Sequence, residues 1–472
     1  MGDSGSNAAR GVFANRTLNL RSVPVIGYDM DYTLIHYHSA QWEGAVFTHA
    51  LDALESLGRS VAEFTFDPTQ FTVGLAFDLE LGNLLKATRF GRVVRAQHGN
   101  ELLSFEQQRQ AYSSTIVELS SPRFRFMNTL FELSRASLFT QLVDLHDKSP
   151  LAGIRSYSDI YTAVDDALGL AHNGAKLKAE IVADKARFVD LDADVAATLQ
   201  EQRLAGKKLV LVTNSDWAYT REMMPYCFDR FIDGEGTWRS LFDLVIVSAN
   251  KPRFFVGSDP LYRVVDEDQS LLLPHSGPLE AGAVYFGGNA RLLENLLDLD
   301  GDEPLYVGDH LFGDVHVSKD VLSWRTALVA RELEAEISAA MTFAPKQAQL
   351  EALMTDKVAV DRLQAQLRLE RVAGGGSDVQ DAYNKATARG VRLDERIAPL
   401  AREAGELGNP IWGPLMRAGN DKSLFARQVE RYADVYTSRV SNFRDETPFA
   451  YLRAARGSLP HDVAVVDRDG DS

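Results

Sequence analysis

The chain has 472 residues, too many for one compact core, so two or three domains are expected. An apolar share of 45% and a charged share of 25% are those of an ordinary globular protein, and no uninterrupted apolar run is long enough to mark a membrane span. A formal charge of −16 excludes general nucleic-acid binding, so an anionic ligand must be captured by local cations, a metal or backbone amides. The single cysteine, Cys227, excludes an internal disulfide framework and a multi-cysteine metal site. Flanked by Tyr226 and Phe228, it reads as a small buried hydrophobe. The segment Met1 to Arg16 lacks an apolar core between basic residues, so it reads as a tail rather than a secretory leader, and a cytoplasmic address is expected.

In chain order, the first element is an apolar run, Val23–Asp29, followed by Met30-Asp31-Tyr32-Thr33-Leu34. Carboxylates at i and i+2 leaving a strand point the same way. Asp29 can then attack phosphorus while Asp31 protonates a leaving oxygen and later activates water. A bare D-x-D is more often a surface turn, so the pair needs support from the other strand ends. His36 and His38, which flank Tyr37, are expected at the surface because no further metal ligands can be placed beside them.

The next strand-like run, Lys208–Asn214, lies far beyond a normal crossover length. The intervening chain carries helical patterns at Phe126–Leu145 and Tyr157–Leu170, and strand-like pieces at Phe64–Phe66 and Val93–Ala96. It reads as an inserted cap over the strand ends. Gly169–Gly174 has the glycine spacing of a P-loop, but Ala175 occupies the lysine position. After Lys208–Asn214 comes Thr213-Asn214-Ser215-Asp216, a hydroxyl and successive backbone amides that can cradle phosphate or cap the next helix. The run Leu244–Asn250 leads into Lys251, an ammonium placed to neutralise nucleophile and phosphoryl group together. The run Pro304–Asp309 opens Gly308-Asp309-His310-Leu311-Phe312-Gly313-Asp314, whose acidic residues can complete a magnesium site with Asp29 and the Asp31 carbonyl. A fifth run is Thr326–Val329, and Ala283–Phe286 adds a short strand in the smaller insertion before it. Four of the five main runs end in Asp or Asn, where open α/β sheets place ligands. The expected fold is α/β, a doubly wound parallel sheet with a large inserted cap and a helical C-terminal extension.

Arg331 to Gly405 reads as two long helices joined at Gly374–Gly376, and Pro410 to Pro460 as an aromatic and basic segment packing on the core or at a subunit interface. The expected divisions are tails at 1–12 and 463–472, core at 13–45 and 196–330, cap at 46–195, helical pair at 331–408 and C-terminal segment at 409–462.

These motifs resemble the haloacid dehalogenase superfamily and its cap-bearing branch. Asn15-Arg16, Asp29–Leu34, Gly74-Leu75 with Asp78, Gly82–Lys86, Asn128–Phe131, Thr213–Asp216, Gly308–Asp314 and Arg431–Asp434 together resemble the cytosolic purine 5′-nucleotidase family, of the type preferring inosine and guanosine monophosphate. The resemblance runs from about residue 13 to residue 462. It implies a Mg2+-dependent purine nucleoside 5′-monophosphate hydrolase that can pass the phosphoryl group to another nucleoside. Asp29 would be the nucleophile and Asp31 the acid/base, with Thr213, Asn214, Ser215 and Lys251 holding phosphate. Asp29, Asp31 and Asp309 would bind the metal, supported by Asp314. Phe131 would stack on the base, with Asp165, His172 and Lys178 completing the nucleoside pocket. Asn128, Phe312, Gln428 and Tyr432 match a site for a nucleotide effector, and a homo-oligomer, dimer or tetramer, is implied. Two positions depart from the pattern: Glu132 stands where the family usually has Asn, and Asp320 where a basic residue is expected, with Lys319 beside it. Two other readings stay open, a phosphatase of a different small phosphomonoester and an inactive nucleotide-binding or scaffold protein.

Overall fold

The structure, a computed structural model, describes residues 9–56, 61–232, 234, 236–280 and 282–457. Residues 1–8 and 463–472 of the two expected tails lie outside that description, and the placed chain already forms a strand at Val12–Ala14.

Ten strands make the large sheet: β1 Val12–Ala14, β2 Val25–Tyr28, β3 Lys208–Val212, β4 Leu244–Val247, β5 Leu261–Asp266, β6 Leu271–Pro274, β7 Val284–Gly287, β8 Leu305–Gly308, β9 Arg325–Val329 and β10 Val435–Thr437. Their order is β1-β10-β9-β8-β2-β3-β4-β7-β5-β6. The stretch from β10 to β7 is parallel throughout, with antiparallel strands at both margins. All five runs expected from the sequence are strands of this sheet. Their central residues are buried, as continuous Val, Leu and Ile runs are when helices cover both faces. From β2 the chain steps outward through β3 and β4, then returns to β8 on the other side of β2. The crevice between the carboxyl ends of β2 and β8 is therefore the point where winding reverses, the usual ligand position in such sheets.

Between β2 and β3 lies a separate antiparallel sheet of five strands, built from Ala76–Asp78, Asn83–Ala87, Val93–His98, Glu101–Leu102 and Phe124–Phe126. It is accompanied by helices Ser39–Ser56, Leu133–Lys148 and Tyr157–Asn173. Two expectations fail here. Phe64–Phe66 is not a strand: the Gln141 side chain satisfies both backbone groups of Thr65, at 2.9 Å each, and Phe66 stacks on Phe47. The helix expected from Phe126 begins only at Leu133, because Phe124–Phe126 pairs with Ala76–Asp78.

The long helices Leu333–Val372 and Ser377–Gly405 pack on each other through a small core of Leu353, Val360 and Leu393. The C-terminal segment returns to the sheet as β10, a strand not recognised in the sequence. Buried Asp434 secures it by accepting from the Thr326 amide at 2.9 Å and pairing with Lys319 at 2.8 Å. His38 is exposed, as expected, but His36 is fully buried in a short ribbon with Val189–Asp190, and burial drives its pKa down to about 4. Cys227 is buried. No helix among the described residues is long and apolar enough to cross a membrane.

Candidate active site

β2 delivers Asp29 to the crevice, and the chain then turns at once. Leu34 and Ile35 both donate to the Met30 carbonyl at 2.9 Å, and Tyr32 takes a left-handed conformation, φ 53°. This tight loop sends Asp29 and Asp31 to different partners. Asp29 Oδ1 accepts from the Met30 amide at 2.7 Å and from Lys251 Nζ at 2.8 Å. Asp31 accepts from the Tyr37 hydroxyl at 2.5 Å and from Ser215 Oγ at 2.7 Å.

Lys251 is set by the turn after β4, whose Ser248 and Asn250 both have positive φ, 48° and 58°. The Asn214 amide brackets it, accepting from the Lys251 N–H at 2.6 Å and donating to its carbonyl at 3.1 Å. The ammonium then meets Asp29, Asp314 at 2.9 Å and the Tyr306 hydroxyl at 3.0 Å. Tyr306 reaches it because Gly27 faces it across β2 and β8; a Cβ on Gly27 would sit 2.8 Å from the ring. Gly308 likewise makes room for Asp314, whose carboxylate would lie 2.6 Å from a Cβ there.

Asp29, Asp309 and Asp314 bring one carboxylate oxygen each within 4.8 Å of one another, all three residues buried. Burial lifts Asp29 to about 6, helped by Asp314 and opposed by Lys251. Burial, then Asp29 and Asp314, push Asp309 well up. Burial works against the charge on Lys251, but Asp29 and Asp314 overcome it and hold the ammonium protonated. Three carboxylates around one ammonium leave a negative excess that a hard divalent cation fits by charge and by donor type. Burial also lifts Asp31 to about 6, against the hydrogen bonds from Tyr37 and Ser215. Its carboxylate faces those hydroxyls and is outside the acidic trio, so any share it has in metal binding falls to its carbonyl, while Asp314 joins the trio directly.

Residues 12–464 match the model of the 5′ nucleotidase family. The chain belongs to that family. It is 27% identical to a 5′-nucleotidase domain-containing protein of Dictyostelium discoideum, over 96% of this chain and 75% of that one. It is also 27% identical to 5′-nucleotidase domain-containing protein 2 of Homo sapiens, over 96% of this chain and 85% of that one. A solved structure described as a predicted phosphoglycolate phosphatase from Haemophilus somnus aligns over 66% of this chain and 86% of its own, at 12% identity and TM-score 0.28. The assignment rests on the match along the chain, not on that distant likeness. Membership of the 5′-nucleotidase family makes this chain a phosphoric monoester hydrolase.

Around this 5′-nucleotidase centre the remaining expected residues are dispersed. Thr213 is buried and its hydroxyl accepts from the Ser215 amide at 3.0 Å. The Asn214 side chain is exposed and braces the Lys251 loop through its carbonyl oxygen and one amide N–H. Phe131 is half-buried among Tyr32, Trp42 and His172, with ring centroids at 4.6, 5.8 and 6.3 Å. Burial and the neighbouring Arg135 and Lys178 drive His172 down to about 4, so it faces Phe131 as a neutral ring. Asp165 pairs with Arg135 at 2.5 Å, and Lys178 with Asp216 at 2.5 Å. Glu132 accepts from the Asn128 amide at 2.8 Å and pairs with Arg135 at 3.5 Å, so its carboxylate fixes its own turn.

Of the expected effector residues, Asn128 accepts from the Phe312 amide at 3.3 Å, and the Phe312 and Tyr432 rings lie 6.3 Å apart. Gln428 is buried one turn before Tyr432 on the helix Leu424–Tyr432. The His316 ring, not anticipated, packs on Tyr432 at 4.1 Å within this group. Lys319 does not replace the missing base at Asp320, being committed to Asp434. Three other partners were missed in the sequence: Tyr37, Tyr306 and Thr129, whose hydroxyl donates to Asp309 Oδ2 at 2.8 Å. The only written signal was Gly27, an odd residue in an apolar run.

Proposed function

We propose that the chain hydrolyses purine nucleoside 5′-monophosphates, of the inosine and guanosine type, through an aspartyl-phosphate on Asp29. The observation that carries this reading is the convergence of Asp29, Lys251, Asp309 and Asp314, drawn from three strand ends, on one buried point. Asp29 Oδ1 is held by Lys251 and Met30, while Oδ2 has no hydrogen-bond donor among the described residues and is the oxygen free to attack. Attack forms the Asp29–phosphorus bond and breaks the ester bond; the departing nucleoside oxygen takes a proton from Asp31. Water then attacks the phosphorus, giving its proton to Asp31 and releasing phosphate and the Asp29 carboxylate. A carboxyl lifted to about 6 suits both roles near neutral pH. Lys251 offsets charge on the nucleophile and on the phosphoryl oxygens. Asp29, Asp309 and Asp314, with the Asp31 carbonyl, would hold Mg2+, which supplies further charge stabilisation to the phosphoryl group when bound. Discharge of the intermediate to a nucleoside hydroxyl in place of water would make the same site a phosphotransferase.

The purine preference draws support from Phe131, whose ring borders an aromatic wall of Tyr32 and Trp42 and the neutral ring of His172. Glu132, at the position next to Phe131, is held within its own turn by the Asn128 amide and Arg135. The test is phosphate release from a panel of nucleoside monophosphates and sugar phosphates, with and without Mg2+, alongside acid-quench trapping of a phosphorylated protein. Inosine or guanosine monophosphate should lead the panel, with the label on Asp29. A sugar phosphate far ahead of them would sink the substrate assignment, and turnover by Asp29→Asn would sink the mechanism.

A further inference from the structure

Among the three carboxylates at the centre, Asp309 is held differently from the other two. Asp29 and Asp314 share Lys251, and each also receives a backbone amide from its own loop, Met30 to Asp29 at 2.7 Å and His310 to Asp314 at 3.2 Å. Asp309 receives neither. Among the described residues its carboxylate has one hydrogen-bond donor, Thr129 Oγ1 at 2.8 Å, which comes from the segment inserted between β2 and β3. That hydroxyl is well fixed. Thr129 is buried and extended, φ −147° and ψ 159°, and caps the short turn Leu130–Glu132, accepting from the Phe131 amide at 3.5 Å. The residue before it, Asn128, is clamped on both sides, donating its amide to Glu132 and accepting from the Phe312 amide. Two places earlier, the Phe126 ring meets Phe312 at 5.9 Å. The segment is therefore docked on the loop that carries Asp309, with one hydroxyl directed at the carboxylate.

We infer that Thr129 is a positioning residue for the metal: it occupies Asp309 Oδ2, turns the other oxygen toward Asp29 and Asp314, and makes metal affinity depend on the inserted segment. This rests on the proposed metal role of Asp309. Hydrogen-bond partners of ligating carboxylates and imidazoles are typically worth about 10–100-fold in metal affinity. Because the same hydroxyl accepts from the Phe131 amide, the ring expected to meet the base and the carboxylate expected to meet the metal hang on one side chain.

The experiment is calorimetric titration of Mg2+ into the full chain, without substrate, for wild type, Thr129→Val and Thr129→Ser, with circular dichroism and melting curves as the check on folding. Valine keeps the shape and removes the donor; serine restores the donor. Mg2+ binding by the valine variant should weaken about ten-fold, with serine recovering most of the loss. In turnover, the valine variant should need correspondingly more Mg2+ for half-maximal rate, and excess Mg2+ should recover part of its lost rate. A merely structural role would instead lower the rate at every Mg2+ concentration without moving the affinity. A folded valine variant that binds Mg2+ as tightly as wild type would overturn the inference and leave the proposed function standing. Wild-type protein that takes up no Mg2+ would overturn both.

Discussion

Replacing Lys251 with methionine tests the electrostatics of the centre most directly. The side chain is only 3% exposed and touches Asp29 and Asp314 at 2.8 and 2.9 Å. At an effective dielectric of about 20, each contact is worth roughly 6 kcal/mol before desolvation. Desolvation cancels much of that, and breaking such a buried pair by removing one partner typically costs about 3–5 kcal/mol. The cost should depend on pH in a set direction. Asp29 is already lifted to about 6 and Asp309 well above its ordinary value, both chiefly by burial, and losing the ammonium lifts them further. Carboxyls whose folded pKa is raised bind protons in the folded state that the unfolded chain has released. The pH-dependent part of the penalty is therefore small well below pH 6, where the folded carboxyls hold their protons with or without the ammonium, and grows as the pH rises through 6 and beyond. The difference in melting temperature between Lys251→Met and wild type should widen from pH 5 to pH 8 in chelator, and added Mg2+ should narrow it at pH 8. An equal loss at both pH values, indifferent to Mg2+, would show that Lys251 acts there only as packing volume.

Asp29→Asn should abolish phosphate release while leaving the melting curve close to wild type, measured by phosphate assay and scanning calorimetry. Mg2+ affinity should tighten as the pH rises through about 6, because Asp29 must lose its proton to ligate; calorimetry in two buffers of different ionisation enthalpy should detect proton release on binding. Gly27→Ala should push Tyr306 off Lys251, costing about 1–3 kcal/mol by overpacking and lowering kcat, read by denaturant titration and steady-state rates. Phe131→Ala should raise KM for inosine monophosphate by more than ten-fold while barely changing that for a small aliphatic phosphate, consistent with loss of about 1.4 kcal/mol or more of ring contact.

Asp29 and Asp309 were legible because each directly follows a short, largely apolar run that reads as a buried strand, and Lys251 because it lies just past another; parallel strands put such ends on one rim. Their supporting groups were not. Tyr37 and Tyr306 look like ordinary apolar strand residues until the fold aims their hydroxyls at Asp31 and Lys251. Thr129 is distant from Asp309 in sequence and reaches it only through docking of one loop on another. His36 looked like a surface residue because a two-residue ribbon leaves no periodicity to read. β10 was hidden for a related reason: three residues carry little pattern, and their place is set by Asp434 and Thr326, which meet only in the finished sheet.

The lateness of β10 has a bearing on how the molecule is made. On the ribosome, β2, β8 and β9 are all synthesised before residues 330–434, including the whole helical hairpin, have emerged. Until Val435–Thr437 arrives, β9 stands as a raw apolar margin, the kind of surface on which nascent chains stick to one another. Ribosome stalling or proteolytic clipping ahead of residue 434 would thus yield a product that carries every acidic group of the reaction centre yet is prone to be lost to aggregation.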